Sequence, residues 1–242
     1  MFRLQSGEQS DSKESTMGMM VKITSGDGFV FDAYRAEPED TPRGSIVLIQ
    51  EIFGVNSHIR AVADGYASEG YLVLAPAIFD RHAPGIELAY DTEGVSRGAD
   101  IAFNKLNMSE TLADLAATVT TLVEAGKVGV VGYCFGGLLA YLSANSLSGL
   151  ACSIGYYGGG IAGVLDKKPK IPLMLHFGAL DSHIPLSDVG RIQETLPEIT
   201  VNIFPDADHG FNCDQRASYN AEAARAALDQ SLAFFEQHLS SE

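Results

Sequence analysis

The stretch that decides the fold is residues 127–141, Lys-Val-Gly-Val-Val-Gly-Tyr-Cys-Phe-Gly-Gly-Leu-Leu-Ala-Tyr. An apolar run leads into Gly132-x-Cys134-x-Gly136, and a second apolar run of helical character follows. We interpret this as a buried strand, a tight turn and a helix, with Cys134 at the apex of the turn. Positions two before and two after such an apex crowd the neighbouring strand and helix, which explains the glycines.

The pattern Gly-x-Cys-x-Gly is the nucleophile elbow Gly-x-Ser-x-Gly with sulfur in place of oxygen. In that turn the thiol of Cys134 faces the positive end of the following helix, which favours the thiolate over the thiol. Taken alone, the pattern also fits a glycine-rich turn around a buried structural cysteine. An acid and a base on later loops of the chain would favour the nucleophile over the structural cysteine.

Apolar runs alternate with segments of helical period along the chain from Ser45 onward. Continuous apolar runs predict strands buried on both faces, as in a parallel sheet. These runs are Ser45–Ile49, 72–75, 128–131, 152–156, 172–177 and 201–204. The predicted helices are 57–69, 111–124 and Ala221–Leu239, the last of which is expected to cover one side of the sheet. The fold class is therefore α/β, with a mostly parallel central sheet and helices on both faces.

Two segments depart from this alternation. Residues 21–33 combine β-branched residues with a Gly26-Asp27-Gly28 turn, which predicts an opening hairpin. Residues 81–109 have few apolar runs and are predicted to form an irregular excursion near the mouth of the site. Residues 1–20 are polar and are expected to be a flexible tail, leaving 21–242 as a single domain.

Charge and cysteine content limit the classes of function. The chain carries 31 acidic and 16 basic residues, a formal net charge of −15, which repels phosphate backbones and anionic lipids. We expect no nucleic-acid or membrane partner. Residues 1–20 lack the apolar core of a signal peptide, and three cysteines without CxxC or zinc-site spacing favour a reduced, cytoplasmic location with no metal. A monomer is favoured.

Two loops after later strands offer an acid and a base in the order that hydrolase triads require. Asp181 follows the run 172–177, and His209 follows the run 201–204. Both loops lie at the carboxyl ends of adjacent predicted strands, where open parallel sheets place ligands. We predict that Asp181 orients His209 and that His209 takes the proton of Cys134.

Alternatives stay open at this point, with His183 as the base and Asp206 or Asp208 as the acid. His183 shares the loop of the proposed acid, and the two aspartates are so close to His209 in sequence that they reach the proper ring edge with difficulty. The other histidines are expected to be structural or solvated: His176 in the core, His58 and His82 on early loops.

Taken together, five segments resemble the dienelactone hydrolase family of the α/β-hydrolase superfamily, over nearly the whole chain from about residue 21. They are Gln50-Glu51-Ile52-Phe53-Gly54-Val55-Asn56, Gly132-Tyr-Cys134-Phe-Gly-Gly137, Gly155-Tyr-Tyr-Gly158, Gly178-Ala-Leu-Asp181 and His209-Gly-Phe211. The resemblance implies an α/β-hydrolase fold and a carboxymethylenebutenolidase-like enzyme. Such an enzyme cleaves a small enol-lactone or carboxylic ester through a thioester on Cys134, with no cofactor and no metal.

The resemblance also implies roles for other residues. Glu51 would contact the resting thiol and help to activate it when substrate arrives. A glutamate at the end of an apolar strand is costly to bury without a partner, which makes it a functional candidate on physical grounds as well. The backbone N–H groups of Ile52 and Phe135 are the expected oxyanion donors. Arg81 looks like the arginine that grips the substrate carboxylate.

Substrate recognition is where the chain departs from the family pattern. A second arginine is expected four residues after the catalytic histidine, where this chain has Cys213. Either Arg216 reaches the site instead, or the anion pocket is reduced. Cys213 is expected to be incidental and Cys152 to lie in the core. A broad carboxylesterase or thioesterase is the second hypothesis, and a non-catalytic hydrolase-fold binding protein is the third.

Overall fold

A computed structural model of the chain describes residues 18–240. One sheet contains eight strands: β1 (Met19–Thr24), β2 (Val30–Ala36), β3 (Ser45–Ile49), β4 (Leu72–Pro76), β5 (Val128–Tyr133), β6 (Leu150–Tyr156), β7 (Leu173–Gly178) and β8 (Thr200–Phe204). The strand order is β1-β2-β4-β3-β5-β6-β7-β8. The six strands from β4 to β8 in this order are parallel, while β1 and β2 are antiparallel to their neighbours. The predicted mostly parallel sheet is confirmed.

The helices cover both faces of this sheet, as predicted. They are α1 (Ser57–Ser68), α2 (Thr92–Asp100), α3 (Met108–Leu122), α4 (Phe135–Ser146), α5 (Leu186–Thr195) and α6 (Ala221–Leu239). Successive residues of β6 point to opposite faces. Ser153 donates a hydrogen bond to the Ala140 carbonyl of α4, whereas Cys152 lies in the core on the side of Phe235 of α6. Within residues 18–240, no helix combines the length and apolar character that crossing a membrane requires.

The opening hairpin is confirmed, and its first strand includes two residues of the predicted flexible tail. Met19 of β1 pairs with Arg35 of β2 and Met20 with Tyr34, so the prediction of a tail over residues 1–20 does not hold for these two. Pairing with β2 satisfies the backbone hydrogen-bonding groups of β1, a contact that the local sequence does not reveal. The rest of that predicted tail, residues 1–17, lies outside the described residues.

The prediction of irregular structure over 81–109 is wrong for its second half, which forms α2 and a π-helical turn over Ile101–Lys105. Asp91 caps α2 by accepting a hydrogen bond from the Gly94 backbone. Gly98 packs so closely that a Cβ there would lie 2.0 Å from the Ile52 carbonyl oxygen. The contact face of α2 is thus made of glycines, which is why the helix shows no apolar stripe in the sequence.

The elbow between β5 and α4 requires glycine for a steric reason. A Cβ on Gly132 would lie 1.9 Å from the Gly136 carbonyl oxygen, and one on Gly136 would lie 2.4 Å from the Ile49 carbonyl oxygen. These contacts are to backbone atoms, which cannot rotate out of the way as a side chain can. The junction therefore holds β3, β5 and α4 at a separation that only glycine permits.

Replacing Gly132 by alanine is expected to prevent folding or to lower the free energy of unfolding by more than about 4 kcal/mol, because the added carbon overlaps the backbone. Gly65→Ala is the matched control. Gly65 is exposed in α1 with nothing within 4 Å of an added Cβ, so it should gain roughly 0.5–1 kcal/mol from helix propensity. Urea unfolding midpoints measure both. A Gly132→Ala protein as stable as the parent would contradict the steric argument.

Candidate active site

Cys134 stands at the junction of β5 and α4 in a backbone conformation that side chains avoid. Its φ is 56° and its ψ is −115°. Such a conformation costs on the order of 1–3 kcal/mol and persists where surrounding structure enforces it. Backbone hydrogen bonds hold Cys134 in this conformation. Its N–H donates to the Tyr156 carbonyl at 3.0 Å, and its carbonyl accepts from the N–H groups of Gly137 and Leu138. The turn projects a half-buried thiol toward a cavity.

His209 and Asp181 extend from the thiol as a hydrogen-bonded line. His209 Nε2 lies 3.2 Å from Cys134 Sγ, and His209 Nδ1 lies 2.7 Å from Asp181 Oδ2. The other carboxylate oxygen of Asp181 accepts backbone N–H bonds from His183 at 2.8 Å and Ile184 at 3.2 Å. The loops after β7 and β8 thus bring the three predicted residues into contact and hold the carboxylate from both sides.

The alternatives considered for the acid and the base take other positions. Asp208 accepts a hydrogen bond from the backbone N–H of His209 at 2.6 Å, and its contact is not with the ring. Asp206 is exposed to solvent. The His183 ring lies edge-on to the His209 ring with centroids 5.3 Å apart, and His209 is the histidine bonded to Cys134.

The electrostatics of the line favour a charged imidazole. Burial disfavours charge on His209, but hydrogen bonds to Asp181 and Cys134 outweigh it and raise the pKa of His209 to about 10. Burial also acts to raise the pKa of Asp181, yet the hydrogen bond to His209 prevails and the pKa lies below its usual value. The arrangement therefore stabilises an imidazolium beside the sulfur, and a neighbouring imidazolium favours the thiolate form of a cysteine.

Glu51 is fully buried and pairs with Arg216, with Glu51 Oε1 and Arg216 Nη1 3.2 Å apart. Its other oxygen has no hydrogen-bond partner in the described part of the chain. The expected contact between Glu51 and the resting thiol is replaced in this structure by the ion pair, because a buried carboxylate is stabilised far more by a guanidinium than by a thiol.

The two expected oxyanion donors face the same cavity. Ile52 and Phe135 both line it, and no hydrogen bond within residues 18–240 engages their backbone N–H groups. Phe135 is the first residue of α4, whose N-terminal amides lack partners inside the helix. The cavity therefore offers two free donors beside Cys134.

The structure places Arg81, the arginine expected to bind the substrate carboxylate, away from the cavity at Cys134. Its guanidinium makes two bonds of 2.7 Å to the buried carboxylate of Asp114, binds Asp27 at 2.9 Å and stacks on Phe29. Arg81 does not line the cavity at Cys134. Because a buried carboxylate is costly without a cation, Arg81 is committed to joining the opening hairpin to α3.

Arg216 provides the positive charge that Arg81 does not. It lines the cavity at Cys134, and no other arginine or lysine among the described residues does so. Its guanidinium also lies over the rings of Phe53 and Tyr90, 5.8 and 6.0 Å from their centroids. Arg216 thus brings an arginine into the site, three residues after the position where the family pattern has one.

The cavity has a volume of about 350 Å³ and is mostly apolar. Its lining residues are Ile52, Phe53, Val95, Ala99, Phe103, Cys134, Phe135, Leu138, Gly159, Gly160, His183, His209 and Arg216. The sequence did not reveal the contribution of α2 and the π-helical turn, from which Phe103 packs edge-on against Phe135 at 5.4 Å. Nor did it reveal Tyr157, whose φ of 36° sets its buried ring edge-on to His209 at 5.1 Å.

Replacing Asp181 by asparagine is expected to lower the free energy of unfolding in a pH-dependent way. The folded pKa of His209 lies above the usual 6.5, so its stabilising effect is complete below about pH 6.5 and is lost as pH rises toward 10. The deficit of Asp181→Asn should be about 1.5–3 kcal/mol at pH 6 and should shrink toward pH 10. Urea unfolding across this range measures it. Asp206→Asn, a change at an exposed position, is the control; a deficit for Asp181→Asn that is constant or grows with pH would refute the assignment.

Comparison with known proteins agrees with this fold and identifies the family. The family model described as "Dienelactone hydrolase family" matches residues 31–239. A Synechocystis protein named "Putative carboxymethylenebutenolidase" is 41% identical over 226 residues, covering 85% of this chain and 91% of that protein. The "Carboxymethylenebutenolidase" of Pseudomonas putida is 33% identical over 223 residues, covering 88% and 94%.

Solved structures show the same fold. The crystal structure of a putative dienelactone hydrolase from Klebsiella pneumoniae superposes with a TM-score of 0.80 at 27% identity, covering 91% of this chain and 99% of that one. A dienelactone hydrolase-like phosphotriesterase, P91, superposes at 0.71 with 20% identity, covering 93% and 100%. The predicted α/β-hydrolase fold and the predicted class of hydrolase are confirmed, and the chain belongs to the dienelactone hydrolase family.

Proposed function

We propose that this protein is a cysteine-dependent hydrolase of small enol-lactones or activated carboxylic esters that carry a carboxylate. The observation that carries the proposal is the 3.2 Å contact between Cys134 Sγ and His209 Nε2 at the wall of a small apolar cavity. The carboxymethylenebutenolidases among the relatives support the substrate class.

The reaction follows from the positions of the groups. The Cys134 thiolate attacks the ester carbonyl, and the N–H groups of Ile52 and Phe135 stabilise the oxyanion. Collapse of the tetrahedral adduct breaks the carbon–oxygen bond of the ester, and the imidazolium of His209 protonates the departing oxygen. His209, now neutral, removes a proton from water, which attacks the thioester and releases the acid and the thiol.

A thiol nucleophile limits the substrates. A thiolate is a better leaving group than an alkoxide or an amide nitrogen, so the adduct returns to reactants unless the departing group is stable as an anion. Enol-lactones and aryl esters meet this condition because their leaving oxygen is an enolate or a phenolate. Peptides do not, and we expect no peptidase activity.

Arg216 and Glu51 link substrate binding to activation of the thiol. A substrate carboxylate at Arg216 competes with Glu51 for the same guanidinium. Glu51 is fully buried, so loss of its cation leaves a buried negative charge without a partner, which is costly. We therefore propose that a substrate carboxylate at Arg216 frees Glu51 from its ion pair and that Glu51 then helps to activate the Cys134 thiol.

Cys134→Ala is expected to reduce kcat/KM on an aryl ester or enol-lactone by about 10³-fold or more, because no other group in the cavity can form the acyl intermediate. Cys152→Ala, which removes a buried thiol from β6, should retain activity and is the control. Intact-mass spectrometry during turnover of the parent should show a transient acyl adduct that Cys134→Ala lacks. Equal rates for parent and Cys134→Ala would exclude the thiol mechanism.

Arg216→Gln is expected to lower kcat/KM for a carboxylate-bearing enol-lactone by about 10- to 100-fold more than for its neutral methyl ester, the value of a charge-assisted hydrogen bond, because both rates share the loss of the Glu51 partner and only the first loses the anion contact. The ratio of the two rates is measured on one protein sample and is insensitive to the fraction folded. Arg60→Gln, which breaks an arginine–glutamate pair outside the cavity, should leave the ratio unchanged. If the parent itself does not distinguish the two substrates, the enzyme is a broad esterase and Arg216 is not an anion site.

A further inference from the structure

A second cluster of chemically reactive side chains lies beside the catalytic cavity and takes no part in the reaction proposed above. His58 at the start of α1 meets Cys213 and Asp214 of the segment between β8 and α6. One ligand atom from each residue, an imidazole nitrogen, a thiol sulfur and a carboxylate oxygen, lies within 4.8 Å of the other two. We propose that these three residues bind a thiophilic divalent cation, with Zn²⁺ as the best match.

The spacing of the ligand atoms is close to that of a metal site. His58 Nδ1 and Asp214 Oδ1 are 3.1 Å apart. Around a tetrahedral zinc ion with bonds of about 2.0–2.3 Å, two nitrogen or oxygen donors lie about 3.3 Å apart and a sulfur lies about 3.5 Å from either. The His58–Asp214 edge is therefore already formed, and the sulfur has to move by no more than about 1.3 Å.

Burial separates this cluster from an ordinary surface ion pair. His58 is 3% exposed, contrary to the expectation of a solvated loop histidine, and its Nε2 has no hydrogen-bond partner in the described chain. Cys213 is fully buried. Neither ring nitrogen of His58 is bonded to the backbone, since Nδ1 faces Asp214. The buried imidazole thus keeps one ring nitrogen without a partner, and the partner of the other nitrogen is itself a proposed ligand, Asp214.

A surface groove beside the cluster gives a cation access to two of the three proposed ligands. His58 and Asp214 line this groove of about 510 Å³, whereas Cys213 is buried and does not line it, so a cation meets the imidazole and the carboxylate first. Binding replaces the S–H proton of Cys213 by the metal and releases that proton to solvent.

The ligand chemistry selects the ion and its effect. Thiolate and imidazole favour Zn²⁺ over Mg²⁺ or Ca²⁺, which prefer oxygen. The bound ion would join α1 to the segment that carries both His209 and Arg216, two residues of the catalytic cavity. Three protein ligands leave the fourth tetrahedral position to water, so the site is expected to take up and release metal rather than to be required for folding.

The test uses the full chain with Cys134→Ser, because the catalytic thiol and His209 could otherwise bind metal themselves. After chelator treatment under reducing conditions, Co²⁺ is titrated as a spectroscopic probe and then displaced with Zn²⁺. We expect one equivalent of Co²⁺ to produce the near-ultraviolet absorption of a cobalt–thiolate bond, and Zn²⁺ to remove it. Adding Cys213→Ser should abolish this absorption.

Asp214→Asn provides a second variant whose folding is not at issue, because Asp214 is exposed. It should weaken Co²⁺ binding about 10-fold or more, whereas Asp206→Asn, an exposed acid of the same segment, should not change it. Absence of the thiolate absorption, its survival in Cys213→Ser, or equal affinity of Asp214→Asn and Asp206→Asn would each overturn the proposal. These outcomes are independent of whether Cys134 is the nucleophile, since that residue is absent from the tested protein.

Discussion

The crowding of three backbone segments at the elbow is the constraint on which the rest of the site depends. Gly132 and Gly136 let α4 start within contact distance of β3 and β5, and that approach forces Cys134 into its positive φ. The same contact sets the first residue of α4 beside the loop after β3, so Phe135 and Ile52, whose N–H groups are the proposed oxyanion donors, line one cavity. Strain at Cys134, of order 1–3 kcal/mol, is thus the local cost of a geometry that the larger sheet enforces.

Two buried carboxylates, Asp181 and Glu51, have different electrostatic environments in the site. Asp181 is held by backbone N–H groups and keeps His209 charged, which raises the pKa of that imidazole to about 10. Glu51 has no such backbone support, and one of its oxygens is without a partner. Its charge depends on Arg216 alone, a side chain that also lines the cavity. One carboxylate is therefore held by two backbone N–H groups and an imidazole, while the other relies on a single side chain that also lines the cavity.

The sequence predicted the parts of the fold and site that depend on local pattern. Continuous apolar runs identified the buried strands, and turn glycines with the order of Cys134, Asp181 and His209 identified residues that the structure brings together. The sequence did not predict helix α2, because its packed face consists of Gly94 and Gly98, which give no periodic apolar pattern. Arg81 and Arg216 could not be ranked from sequence, since their partners, Asp114 and Glu51, are 33 and 165 residues away in the chain.

The net charge of −15 does not argue against the proposed anionic substrate, because distance and dielectric limit long-range repulsion. Exposed carboxylates more than about 8 Å from the cavity are screened at physiological ionic strength, so their repulsion reaches a bound substrate only weakly. Arg216 acts inside a mostly apolar cavity, where the dielectric is lower and contact interactions lose less to solvent. A single arginine at contact distance can therefore outweigh a larger opposing charge spread over the surface, and repulsion acts mainly on the rate of approach.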